Sequence, residues 1–240
     1  MIRPMMKVLI RGKNPFALTF VFRRWLDRKS FESLGFSLSG HLSDAVGGSA
    51  LAIFIVGASS LILKATGDLK WMDIIFDSRV LFMALGSLVL MAVMEELIFR
   101  GYILGNLLYS LPRWPALLIS AVVFMLFHWT PNGFFPLINT FIMGLIMGLN
   151  YSYTRNLWFS IGFHIGWKFL EGPVLGLSPD VSQQTLLVTS IQGNENATGG
   201  INGLEGSYML AAVSLLSVGL LFLVLQKKFS PQSPPTPGRI

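Results

Sequence analysis

Long apolar runs separated by short polar breaks set the organisation of this chain. The runs cover about 45–64, 79–109, 115–129, 134–153, 157–171 and 208–226. A helix needs roughly 20 apolar residues to cross a hydrocarbon core about 30 Å thick, so the pattern predicts about six spans. The second run is long enough for one span plus an extension. The expected fold class is all-α, a polytopic transmembrane helical bundle. Near the N-terminus, PFALTFVF is only eight residues long and cannot span. Followed by Arg23, Arg24 and Trp25, it reads as an interfacial amphipathic helix rather than as a cleaved signal peptide. The expected domains are a basic cytoplasmic or interfacial segment at 1–40, a bundle at 41–228 and a disordered Pro-rich tail at 229–240. Between the fifth and sixth runs, residues 172–207 hold Gly193, Gly199, Gly200, Gly203 and Gly206 and are expected to form a solvated connector with tight turns, a lid being the alternative.

Composition agrees with a bundle and removes several chemistries. Hydrophobic residues make up 52% of the chain and charged residues 12%, which leaves no room for a separate soluble domain. There is no cysteine, so disulfides, thiolate metal sites and a cysteine nucleophile are excluded. The net charge of +6 comes from segments flanking apolar helices, where anionic lipid rather than nucleic acid is the expected partner. With the N-terminus in the cytoplasm, the inner segments hold the basic N-terminus, Arg113, Arg155, Lys227, Lys228 and Arg239. The outer segments hold Lys64, Lys70 and Arg79 beside Asp68, Asp73 and Asp77, and 172–207 has no Lys or Arg. This asymmetry predicts an integral protein of a bacterial plasma membrane with both termini cytoplasmic.

Ionisable residues inside the apolar runs mark the candidate site, because each is costly in hydrocarbon. Glu95 and Glu96 interrupt LVLMAVMEEL, Arg100 follows one turn later, His128 lies in VVFMLFHW, and His164 and Lys168 share one face of a later helix. Pro112 marks a hairpin turn, with Glu95 seventeen residues before it and His128 sixteen after, so the two stand at nearly the same height and can meet. Glu96 and Arg100, four residues apart, read as a structural ion pair. A Glu beside a His suits general-base activation of water, with an imidazole and a cation from another helix stabilising an oxyanion. Small-xxx-small pairs at Gly101 and Gly105, Gly144 and Gly148, and Gly162 and Gly166 favour close helix packing around such a centre. The alternatives are a structural cluster and a proton-coupled transporter.

In order along the chain, EELIFR at 95–100, FMLFH at 124–128 and HIGWK at 164–168 resemble the EExxxR, FxxxH and HxxxN/D motifs of the CPBP intramembrane protease family. That family contains the type II CAAX prenyl endopeptidases and bacteriocin-processing or self-immunity proteins. The motif core spans about 79–172, and GGINGLEGS before the last run also looks like a stretch seen in bacterial members. The resemblance implies a helical membrane bundle that hydrolyses peptide bonds of a peptide or membrane-protein substrate. It assigns the attacking water to Glu95 and His128, oxyanion stabilisation or, in an older view, metal binding to His164 and position 168, and support to Glu96 and Arg100. Position 168 departs from the pattern, with Lys in place of Asn or Asp. A lysine there is expected to pair with Glu95 and to disfavour a divalent metal such as zinc, which leaves no cofactor certain. It also motivates a second reading, a catalytically weak membrane partner or immunity-type protein. No HExxH zinc motif occurs in the chain.

Overall fold

A computed structural model describes residues 35–36, 41–129, 133–179 and 185–230. The expected interfacial helix before residue 35 and the tail beyond 230 lie outside the described residues. Helix α1 (Leu42–Thr66) is followed by strand β1 (Leu69–Ile74). Helix α2 (Ser78–Glu96) passes without a break through a π-helical segment (Leu97–Leu104) into α3 (Gly105–Ser110). Next come α4 (Arg113–Phe127), α5 (Phe134–Thr154) and α6 (Trp158–Phe169), the last extended by a π turn (Leu170–Val174). The chain closes with strand β2 (Leu187–Ile191), a turn of helix α7 (Glu195–Thr198), a 3-10 segment (Gly200–Gly206) and α8 (Tyr208–Phe229).

The all-α membrane bundle of the sequence reading is what the chain forms. Among the described residues, four stretches are long and apolar enough to cross a membrane: Leu42–Thr66, Ser78–Ser110, Phe134–Thr154 and Gly200–Phe229. Helices α4 and α6 are shorter, at 15 and 12 residues. At 1.5 Å per residue α4 reaches only about 22 Å, less than the hydrocarbon thickness, and α6 is lengthened by its π turn. Both stop at the same end of the bundle, because α4 terminates at His128 and α6 passes into its π turn after Phe169.

Small residues set the helix spacing. A Cβ on Gly48 would stand 2.1 Å from the Phe159 carbonyl oxygen, and one on Gly162 2.1 Å from that of Ala45, so α1 and α6 meet backbone to backbone. Ser49 Oγ donates to the Gly162 carbonyl at 2.9 Å across this contact. On α5, Gly144 lies against Ala121 and Gly148 against Leu117 and Leu104, which draws α4 and the π segment onto the same helix.

The connector 172–207 is not the solvated loop expected from its glycines. Strand β2 pairs antiparallel with β1, Leu69 opposite Ile191 and Ile74 opposite Leu187, and Ala197, Thr198, Gly203, Leu204 and Gly206 are buried. Asn139 of α5 donates through Nδ2 to the carbonyls of Glu205 and Ser207, at 2.7 and 3.0 Å. Gly203 holds φ +61°, and a Cβ there would meet the Leu177 carbonyl at 2.1 Å, so the glycine lets two stretches of the connector touch. The connector thus becomes a tethered cap over the end where α4 terminates and α6 passes into its π turn.

Candidate active site

Glu95 and Glu96 end the regular part of α2, and the helix widens to i→i+5 hydrogen bonds immediately after them, with the Gly105 N–H reaching the Arg100 carbonyl. The helix carrying His164 and Lys168 widens in the same way, the Leu175 N–H bonding to the Leu170 carbonyl at 2.9 Å. Pro173 lies inside that turn. Single π turns of this kind commonly sit beside functional side chains, since they re-aim a helix face without breaking it.

Antiparallel packing of α2 and α4 about Pro112 brings Glu95 Oε2 to 3.2 Å from His128 Nε2, as the equal heights predict. His164 Nε2 lies 3.9 Å from the same oxygen. Three atoms from three helices therefore face one point. Each imidazole has its other nitrogen committed. His128 Nδ1 donates to the Phe124 carbonyl at 3.1 Å, an oxygen that only accepts, so Nδ1 carries a proton and Nε2 is the atom turned to Glu95. His164 Nδ1 lies 3.0 Å from Glu96 Oε1 and donates to that carboxylate. Glu95 Oε2 is buried and makes no hydrogen bond among the described residues, so its capacity is directed at this same point.

Glu96 has more to do than the sequence indicated. Its Oε1 receives Arg100 Nη1 at 3.0 Å as well as His164, and all three residues are buried, at 0%, 1% and 2% exposure. The Arg100 guanidinium lies 4.2 Å from the centre of the Phe124 ring, and that ring packs 4.4 Å from the His128 imidazole. Phe124 accordingly links the arginine of one motif to the histidine of the next, with its carbonyl fixing the tautomer and its ring filling the gap. The spacing F-x-x-x-H encodes both contacts, since i and i+4 lie on one helix face.

Lys168 does not pair with Glu95, as the sequence reading expected. Its Nζ is 2.7 Å from Glu205 Oε1, in the Gly-rich stretch of the connector. Sequence reasoning did not single out Glu205, which stands 37 residues from Lys168 and outside every apolar run. Glu171, fully buried one turn after Lys168, was also missed. Its only signal was an acid at the end of a span.

A cavity of about 270 Å³ lies over the cluster. Phe124, His128, Met143, His164 and Lys168 come from the helices, and Pro179, Ile201, Asn202 and Glu205 come from the connector. Glu95 sits directly behind the two histidines. Among the described residues, no group of three or more His, Asp or Glu side chains is arranged to hold a metal ion. No chemical step below is routed through a metal.

Residues 77–170 match the family model described as type II CAAX prenyl endopeptidase, Rce1-like. The matched segment begins at the N-cap of α2 and ends just past α6, and it contains Glu95, Glu96, Arg100, His128, His164 and Lys168. No curated protein and no solved structure matches the chain.

Proposed function

We propose, from the premise of CPBP family membership that the match over residues 77–170 supports, that the chain is a CAAX-type intramembrane endopeptidase working through glutamate-activated water. The observation that carries this reading is the convergence of Glu95 Oε2, His128 Nε2 and His164 Nε2 at the base of a cavity. A water held there by Glu95 and His128 gives a proton to the Glu95 carboxylate as it attacks the peptide carbonyl. The carbonyl oxygen becomes an oxyanion. His164, fixed by Glu96 behind its Nδ1, presents Nε2 and donates to that oxyanion when this nitrogen carries a proton. Collapse of the tetrahedral intermediate passes the proton from Glu95 to the leaving amine and restores the carboxylate.

Two features support an active rather than a silent site. Lys168 is held by Glu205 at 2.7 Å rather than by Glu95. The ion pair also fastens the connector wall of the cavity to α6. In this reading Lys168 is a positioning residue, in place of the neutral donor that the family pattern carries there.

Glu95→Gln keeps the shape and removes the base, so peptide release by purified protein should fall about 10²- to 10⁴-fold, the usual weight of a general base. Full activity in that variant would end the mechanism. Chelation separates the chemistries: a metal-free site keeps its rate in excess chelator, whereas loss restored by added zinc would refute the water-only route.

A further inference from the structure

The polar centre holds more carboxyls than cations. Among the described residues, those that line or back the cavity bring the carboxyls of Glu95, Glu96, Glu171 and Glu205 and the fixed cations of Arg100 and Lys168. Arg100 goes to Glu96 at 3.0 Å, and Lys168 to Glu205 at 2.7 Å. Glu95 faces the two histidines and is the base of the reaction above. Glu171 is left over.

Glu171 is fully buried in the π turn that follows Lys168. The charges of Lys168 and Glu205 both act on its carboxyl, while the Trp167 indole and the Glu205 backbone N–H face it without closing a regular hydrogen bond. A buried carboxylate persists only beside a cation. One lysine here serves two carboxyls, so the cluster is one positive charge short of its fully ionised form. The connector does not supply that charge, since residues 172–207 contain no Lys or Arg, and among the described residues that line the cavity Lys168 is the one lysine or arginine. Glu171 has no exposed surface on which to receive a cation from outside. Glu205 has: its side chain lines the cavity and keeps 23% exposure with Lys168 already bound.

We infer that Glu205 is a specificity-determining residue whose carboxylate receives a basic group, and that the substrate class is a peptide with a lysine or arginine close to the bond that is cut. The cut rests on the protease reading, whereas the basic subsite rests on the charge count and on the exposure of Glu205. A carboxylate has two oxygens and accepts from two cations at once, so the incoming group joins Lys168 on Glu205 and does not displace it. Lys168 stands four residues from His164 on one helix face, about 6 Å along the axis, which an extended peptide covers in about two residues. Phe124, Met143, Pro179 and Ile201 offer apolar wall for the stem of a long basic side chain. An acidic side chain in the same place meets Glu205 with like charge.

The test uses end-blocked apolar octapeptides with a single Lys, norleucine or Glu at each position in turn, so that one side chain carries the only charge. Calorimetry reads their binding to the purified full chain with Glu95→Gln, and mass spectrometry reads cleavage by the parent. Lys peptides should bind about 10- to 100-fold tighter than their norleucine twins, the weight of a charge-assisted hydrogen bond, and should be cut within about two residues of the Lys. Glu205→Gln should bring this ratio close to one. A cap loosened by loss of the Lys168 bond weakens both twins alike, so an equal fall of both overturns the inference, as does equal binding of both without Glu205→Gln. The double swap of Lys168→Glu with Glu205→Lys keeps an ion pair in the wall if Glu205→Gln fails to accumulate; it should still take the norleucine peptides, and a retained preference for Lys would overturn the inference. Preference for Lys in a protein that cuts none of the peptides would refute the protease reading and leave the basic subsite standing.

Discussion

Glu95 and Glu96 are neighbours in sequence with different surroundings. Glu95 is 18% exposed and faces the two histidines, whereas Glu96 is fully buried between Arg100 and His164. Their substitutions should therefore separate. Glu95→Gln loses turnover and melts near the parent temperature. Glu96→Gln leaves the Arg100 charge buried without its counter-ion, a loss of about 3–5 kcal/mol, and should appear as a lowered melting temperature or failure to accumulate in detergent. Equal stability of the two variants would contradict the burial difference. Lys168 is tested by exchange: Lys168→Glu and Glu205→Lys alone each oppose like charges, while the double swap restores the pair at 2.7 Å. Thermal stability and activity should both recover in the double variant beyond the sum of the single effects.

At the scale of the element, the π turns carry a prediction of their own. Each accommodates one residue more than an α-helix would, so deleting Ile103 should restore α geometry and leave α3 in register with α2, moving the side chains of Leu97–Leu104 round the helix. The side chains that the π turn re-aims after Glu95 and Glu96 would then face elsewhere, and the variant should lose more activity than a point substitution such as Ile103→Ala. The sequence made the helices legible, because runs of 15 to 25 apolar residues have few alternatives in a bilayer. Pro112 even fixed the relative height of Glu95 and His128. The two strands were not legible. LKWMDI and LVTSI are short, more than a hundred residues apart, and pair only because the bundle brings their ends to one face. Glu205 was hidden for the same reason, since its partner lies in a helix and it lies in a loop.

For the whole molecule, convergence is achieved by different devices on different helices. Glycines press α1 against α6 and α4 against α5, and the cation of Arg100 ties α2 to α6 through Glu96. The polar centre is thereby enclosed by protein, which is the condition under which ionised groups persist at membrane depth. The connector then supplies backbone that is irregular yet allowed there, because it faces a cavity and hydrogen-bonds to Asn139. Asn139→Leu should loosen this cap. Limited proteolysis between residues 185 and 207 would register it as faster cleavage at a protease concentration that leaves the parent intact.

The tethering of that connector also separates, along the sequence, one wall of the cavity from the groups that face it. All six motif residues fall within the segment shared with the Rce1-like family, while Pro179, Ile201, Asn202 and Glu205 fall beyond it. The β1–β2 pairing anchors this outer wall independently of the reacting groups. Substitutions at Ile201 or Asn202 can therefore alter which peptide is admitted without disturbing the groups that cut it. Among the described residues, the ion pair that crosses the border is that of Lys168 with Glu205, so the lysine that departs from the family pattern and the glutamate that answers it should be exchanged together.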